Sequence, residues 1–157
     1  MPEPVSGVDP WVIYEDRYSP GMGEVRVRVR LTNASDELLA QDGILTPDRV
    51  RGYETTALVD TGTTHTVVPA YVAQQLGLTV RDEILVQFAD ARLERAGLVG
   101  PLLIEIEGRR THDAALVTGQ EVLVGQTVLG KLDWSVDCRD QRLIQNPRHP
   151  SGPVFRI

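Results

Sequence analysis

The chain is poor in cysteine and in aromatic residues, and both shortages narrow what it can be. Cys138 is the single cysteine among 157 residues, so neither an intrachain disulfide nor a cysteine-based metal site is expected. Aromatic side chains make up 5% of the chain, so its core should consist of Val, Leu, Ile and Ala. No apolar run approaches the length of a membrane span. Hydrophobic residues nevertheless make up 41%, which is typical of a globular domain.

Clusters of basic residues are also missing. The chain has 22 acidic and 16 basic residues, and its formal net charge is −6, which disfavours a polyanion such as nucleic acid as the partner. The first twenty residues include acidic side chains and lack the apolar core of a secretory signal. We therefore expect a cytoplasmic protein that binds neither nucleic acid nor membrane.

Three regions differ in composition. Residues 1–23 are rich in Pro and Gly, show little periodicity, and predict an extended or flexible arm. Residues 24–145 carry the periodic sequence of one domain. Residues 146–157 form a tail whose last four residues, 154–157, are expected to pair as an edge strand and are a candidate for an interface between subunits.

Short apolar segments between turn signals dominate the domain. Val25, Val27, Val29 and Leu31 alternate with arginines, which predicts a half-buried strand whose arginine face is solvated. Further strands are expected at 55–60, 66–68, 83–89, 92–98, 102–107, 112–117, 122–125 and 134–138.

Few segments predict other structure. Residues 33–37 suggest a polar turn and 38–50 a loop or irregular hairpin, and further turns are expected at Gly100-Pro101 and Gly108-Arg109. Two short helices are expected, one over 69–77 and one over 126–131. Together these elements predict an all-β, closed barrel-like fold with one or two short helices.

One motif carries chemistry. Asp60-Thr61-Gly62 follows an apolar strand and opens a tight polar turn. An Asp at such a place is often only a turn former or a helix cap, because its side chain bonds local backbone. A second segment, Leu123-Val124-Gly125-Gln126-Thr127-Val128-Leu129, follows, with Gly125 lying 65 residues after Asp60. Together the two motifs resemble those of retropepsin-like aspartic proteases of the small, single-domain prokaryotic type, and the resemblance covers about residues 24–145.

The resemblance implies a chemistry that one chain cannot complete. These enzymes hold one water between two carboxylates, of which one acts as general base and the other, protonated, donates to the carbonyl oxygen. With one such loop per chain, a homodimer has to supply Asp60 twice across a two-fold axis. In the family, the residue at Thr61 braces the two loops, Gly62 lets the backbone donate to the carboxylate, and Thr63 can bond its outer oxygen. Val124 and Gly125 belong to the structural motif near the site.

The resemblance also implies a flap, a β-hairpin that closes over the substrate. Its tip is expected at Phe88, Ala89, Asp90 and Ala91, where substrate would be contacted. Relatives often carry Gly after the Asp of the tip, so Ala91 leaves the type of turn open.

Two functions remain open at this stage. The first is an aspartic endopeptidase that cleaves peptide or protein substrates as a homodimer, without a cofactor or a metal. The alternative is a non-catalytic dimerisation or peptide-binding module on the same fold. His65 is expected to be a turn residue rather than part of a Ser/His/Asp arrangement. Trp134 and Cys138 are expected to be buried.

Overall fold

A computed structural model describes residues 23–157. The arm expected over residues 1–23 therefore lies outside the described residues, apart from Gly23. The strands are β1 Val25–Asn33, β2 Gly52–Val59, β3 Thr66–Val68, β4 Val80–Gln87, β5 Leu93–Ile106, β6 Arg109–Val117, β7 Leu123–Val124, β8 Trp134–Asp137 and β9 Arg142–Gln145. The helices are α1 Ala34–Gln41, α2 Ala70–Gln75 and α3 Gln126–Leu132, with a 3₁₀ turn at Pro47–Arg49.

Six of these strands close into a barrel in the order β1-β2-β7-β3-β6-β5, and β5 pairs back onto β1. The closing pairs run from Val29 opposite Ile106 to Asn33 opposite Leu102. Strand β4 is bonded to β5 outside this ring and forms a long hairpin with it, while β8 and β9 form a separate two-stranded sheet. The predicted all-β, closed barrel-like fold is confirmed.

The alternation in β1 explains how the barrel is filled. Its four apolar side chains at 25, 27, 29 and 31 are at most 6% exposed, and the intervening arginines face solvent. The arginine face is paired with acidic neighbours, for example Arg30 with Glu54 at 2.7 Å between Nη1 and Oε2. One face therefore supplies the core and the other stays hydrated, as period-two patterning requires.

Helix α1 corrects the prediction of a polar turn at 33–37 followed by a loop. Asn33 caps the helix by accepting the Asp36 N–H at 3.0 Å. Asp36 is 5% exposed and binds Arg51 in a bidentate pair, with 2.8 Å from Nε to Oδ2 and 3.0 Å from Nη2 to Oδ1. Asn33 also donates to the Leu76 carbonyl at 2.8 Å. The helix thus depends on partners far along the chain, which local patterning does not reveal.

The turn predicted at Gly100-Pro101 is also wrong. β5 continues through it, and the register against β6 shifts between Val99 and Leu102. Pro cannot donate a ladder hydrogen bond, so within a strand it is confined to edges and irregularities such as this bulge. The other predicted turn, at Gly108, is present between β5 and β6.

The end of the chain differs from expectation in three places. Strand β9 was not predicted, and it pairs antiparallel with β8. Cys138 lies exposed after β8 rather than buried, whereas Trp134 is buried as predicted. Residues 146–157 contain turns and no strand, so 154–157 do not pair as an edge strand within the chain. A role for this tail at an interface stays a prediction.

The two predicted helices are confirmed, α2 with shorter bounds than expected and α3 one residue longer. Pro69 caps α2, and Val72 and Leu76 are fully buried on its inner side. Within residues 23–157, no helix is long and apolar enough to cross a membrane.

Candidate active site

Asp60 lies at the point where β2 leaves the barrel. Strand β2 is bonded in parallel to β7, with Val59 opposite Val124, and the Asp60 N–H donates to the Val124 carbonyl at 2.9 Å. The half-buried Asp60 carboxylate accepts the Gly62 N–H at 2.9 Å on Oδ1. A Cβ on residue 62 would lie 3.2 Å from that oxygen, so glycine allows the loop to fold back on its own carboxylate.

The loop after Asp60 is held from behind by the start of α3. The Gln126 N–H donates to the Thr63 carbonyl at 2.9 Å, and the Thr127 N–H to the Thr64 carbonyl at 3.2 Å. Gly125 makes this approach possible. A Cβ there would lie 2.6 Å from the Thr63 oxygen and 2.7 Å from the His65 oxygen, closer than real Cβ atoms come. The two motifs are therefore in direct contact in the structure.

Thr63 is joined to Asp60 through the main chain. Its N–H donates to the Asp60 carbonyl at 3.2 Å, which closes the turn of the loop. The hydroxyl contact to the carboxylate that the resemblance implies stays a prediction. Thr61 is exposed at the tip of the loop, and the bracing role that the resemblance implies for it stays a prediction.

Strand β3 supports the far end of the loop. Thr66 is fully buried, and its hydroxyl donates to the Asp113 Oδ2 at 2.7 Å. Asp113 lies on β6, and its other oxygen is 4.0 Å from the Lys131 amine at the end of α3. The loop is thus fixed at both ends by elements of the barrel.

The predicted flap is the hairpin of β4 and β5. The Phe88 N–H donates to the Arg92 carbonyl and the Ala91 N–H to the Phe88 carbonyl, both at 2.9 Å. Ala91 has φ of +68°, the left-handed conformation that favours glycine. A turn followed by a left-handed residue is a common three-residue hairpin loop. Ala91 therefore takes the backbone conformation suited to the glycine of its relatives.

Loop and hairpin line one cleft of about 830 Å³. Of the predicted residues, Asp60, Gly62 and Thr63 line it from one side and Phe88, Ala89 and Ala91 from the other. Asp90 does not line the cleft, and its carboxylate binds Arg92 at 3.1 Å. Val124 and Gly125 lie buried behind the loop.

Sequence reasoning missed the apolar wall and the third side of this cleft. The wall consists of Leu58, Val67, Val86, Leu116 and Leu123. The third side is the segment 118–121, which ends in Glu121. The sequence contained a usable signal for the third side. Segment 118–121 directly precedes the apolar strand that leads to Gly125, so it has to lie at the same end of the barrel as the Asp60 loop.

Glu121 is the other acidic residue that lines the cleft, and it is already paired. Its Oε1 is 2.9 Å from the Arg26 Nη1, and this contact raises the pKa of the Arg26 guanidinium. Among the described residues, no group of three His, Cys, Asp or Glu side chains could hold a metal ion.

A closed β-barrel with an Asp-Thr-Gly loop beneath a hairpin is the arrangement of the retropepsin-like class. Residues 47–131, more than half of the chain, match the family described as "gag-polyprotein putative aspartyl protease", and the chain belongs to this family. No curated protein matches the chain.

Proposed function

We propose that the protein is an aspartic endopeptidase that is active as a homodimer, with Asp60 of each subunit forming the catalytic pair. The observation that carries the proposal is the Asp60 loop. It presents one half-buried carboxylate, bonded to the Gly62 N–H, to a peptide-sized cleft beneath a hairpin. Membership of an aspartyl protease family supports the same chemistry.

The proposal needs a second subunit because peptide hydrolysis requires two proton-transfer groups. Hydrolysis requires a group that takes a proton from water and a group that gives one to the carbonyl oxygen. Two carboxylates a few ångströms apart share one proton, so a pair supplies both roles at once. Among the described residues, Asp60 and Glu121 are the acidic residues that line the cleft, and Glu121 is paired with Arg26, so the proposal takes the second carboxylate from another chain.

In the proposed reaction, the ionised Asp60 takes a proton from the bound water, and the oxygen of that water attacks the carbon of the peptide carbonyl. The other Asp60 donates its proton to the carbonyl oxygen, which gives a neutral tetrahedral diol. The diol then collapses, the C–N bond breaks, and the amine nitrogen takes the proton held by the first carboxylate. The second carboxylate recovers its proton from the diol hydroxyl, which restores the pair.

The test is Asp60→Asn, measured by mass spectrometry of an unfolded protein substrate between about pH 3 and 8, the range over which carboxyl pairs titrate. We expect the rate to fall by about 10³-fold or more, because the general base is lost. Asp48→Asn is the matched control, since that carboxylate is exposed on the 3₁₀ turn away from the cleft. An Asp60→Asn variant that cleaves at the wild-type rate would contradict the proposal.

Mixing tests the shared site directly. If subunits exchange, a ninefold excess of Asp60→Asn should leave about one tenth of the wild-type subunits in wild-type dimers, and activity should fall in proportion. An unchanged rate at full exchange would show that each chain works alone. Binding of peptide without cleavage at any pH would instead support the non-catalytic binding module.

We also propose that the protein acts in the cytoplasm on peptide or protein substrates. Its single cysteine is exposed and free, which suits a reducing compartment. The net charge of −6 gives no support for a nucleic-acid partner. Cell fractionation would test the location, and recovery in an oxidising compartment would contradict it.

A further inference from the structure

One peptide unit of the active-site loop is bonded at both of its polar ends. The Gly62 N–H donates to the Asp60 Oδ1 at 2.9 Å. The carbonyl of the same peptide unit belongs to Thr61, and it accepts a hydrogen bond from the Gln126 side-chain Nε2. The peptide plane therefore lies between a carboxylate and an amide side chain. Because the unit is planar, the bond at its carbonyl also fixes the direction in which its N–H points.

Gln126 reaches this carbonyl from a fixed starting point. It is the first residue of α3, and its own N–H donates to the Thr63 carbonyl at 2.9 Å. Gly125 before it is buried against the loop, with no room for a Cβ. Because the backbone of Gln126 is held, its side chain makes a defined contact although its residue is exposed.

We propose that Gln126 is a positioning residue that orients the Thr61–Gly62 peptide so that its N–H points at the Asp60 carboxylate. Without the amide donor, the plane can rotate and the carboxylate loses its charge-assisted bond for part of the time. A bond to the charged form favours that form, so its weakening should make the carboxylate pair easier to protonate. The effect on catalysis rests on the proposed function, whereas the effect on the peptide does not.

Other charged and titratable groups near this end of the cleft have to stay constant in a test. Glu121, which lines the cleft, is paired with Arg26, and His65 follows the loop in the chain. In the proposed dimer, Asp60 of the second subunit is the nearest titrating partner. Gln126→Met alters none of these groups and adds no charge, so a shift in this variant reports on the peptide contact, whereas Gln126→Glu and Gln126→Lys also change the local charge.

The experiment compares Gln126→Met, which keeps length and removes the donor, with Gln126→Glu, which places an acceptor against the carbonyl. Gln74→Met is the matched control, on the exposed side of α2 and outside the cleft. The first measurement is the Gly62 amide proton signal by NMR at pH 7. We expect it to move upfield in Gln126→Met, further in Gln126→Glu, and not in Gln74→Met. Gln126→Lys, which restores a donor, should move it back.

The second measurement is the pH profile of kcat/KM. We expect the midpoint of the acidic limb to rise by about half a unit to one unit in Gln126→Met, because the carboxylate pair protonates more readily. On that limb, kcat/KM should fall about three- to tenfold, the factor that such a shift implies. A merely structural role would lower the melting temperature and leave the midpoint in place.

The outcomes separate the two proposals. An unchanged Gly62 signal in a folded Gln126→Met protein overturns the positioning role whether or not the enzyme is active. A shifted signal with an unchanged acidic limb overturns its catalytic part. A wild-type protein that never cleaves peptide overturns the proposed function, while the NMR comparison still decides whether Gln126 orients the peptide.

Discussion

The two sides of the cleft are built in opposite ways. The Asp60 loop is short, bonded from behind by α3, and followed by the fully buried Thr66. The hairpin opposite consists largely of exposed residues, and its tip is bonded only within itself among the described contacts. Ion pairs from Arg92 to Asp90 and Glu94 hold that tip, and all three side chains are at least half exposed, so they contribute little.

The root of the hairpin packs on a small core of its own. Val67, Ala96 and Leu116 form this cluster, with Ile84 and Val86 partly buried against it, apart from the main core of the barrel. Regions with few buried contacts open at lower free energy than the rest of a fold. In the proposed enzyme, the catalytic Asp60 therefore lies on the rigid side, and the side that opens more easily would control access.

Gly125→Ala should disrupt the contact between α3 and the Asp60 loop and have the largest effect on stability. A Cβ 2.6 Å from the Thr63 oxygen forces the helix and loop apart, and we expect the free energy of unfolding to fall by about 3 kcal/mol. Urea unfolding measures this. Gly130→Ala on the same helix is the control, since nothing lies within 4 Å of its added Cβ, and it should stabilise by about 1 kcal/mol. Equal effects at the two positions would contradict the close contact.

Asp36→Asn, compared with Asp90→Asn in the hairpin, tests which of the two ion pairs makes the stability of the fold depend on pH. The bidentate contact with Arg51 holds the pKa of the Asp36 carboxyl below its ordinary value. A lowered pKa stabilises the fold above the ordinary value, and this contribution is lost as the pH falls through the folded value. We expect Asp36→Asn to cost about 2 kcal/mol at pH 7, and the cost should shrink as the pH falls below about 4.

The matched control for Asp36 is Asp90→Asn in the hairpin. Its carboxylate is 62% exposed, so the change should cost about 0.5 kcal/mol or less at any pH. Urea unfolding at several pH values measures both variants. A cost for Asp36→Asn that is the same at pH 3 and pH 7 would contradict the role of its charged form.

Ala91→Gly tests the flexible side of the cleft, and we expect its effect on stability to be smaller than those of Gly125→Ala and Asp36→Asn. Glycine adopts a φ of +68° without the strain of a Cβ, so the hairpin tip should gain about 1 kcal/mol. Hydrogen exchange at the Phe88 and Ala91 amides, which close the turn, should slow. Ala89→Gly in the same turn should not slow them, because Ala89 is not in the left-handed region. Faster exchange in Ala91→Gly would argue against strain at the tip.

The sequence predicted those features that depend on local pattern. Alternating apolar residues indicated β1, and the apolar segment ending in Gly125, 65 residues after Asp60, indicated a second motif near the site. Helix α1 was missed because its stability comes from Arg51 and Leu76, far away in the chain. A usable signal was Asn33 followed three residues later by Asp36, an N-cap pattern.

The site shows the same division between local and distant contacts. The loop residues were predictable from a motif, whereas Gln126 and the wall near Leu116 became visible only when strands from distant positions met. The bulge at Val99–Leu102 was predicted as a turn because Gly-Pro usually marks one. Here the pairing of β5 on both sides of it outweighs the local preference.

The closure of the barrel has a consequence for how the chain is made. The ring closes only when β1 pairs with β5. Val29 therefore cannot pair with that strand until Ile106, 77 residues later in the chain, has been synthesised. During synthesis, the backbone N–H and C=O groups along one edge of β1 have no strand to pair with until β5 has left the ribosome. Unpaired edges of this kind favour aggregation. The arginines that alternate along β1 keep its outer face charged, which should protect the nascent chain during that interval.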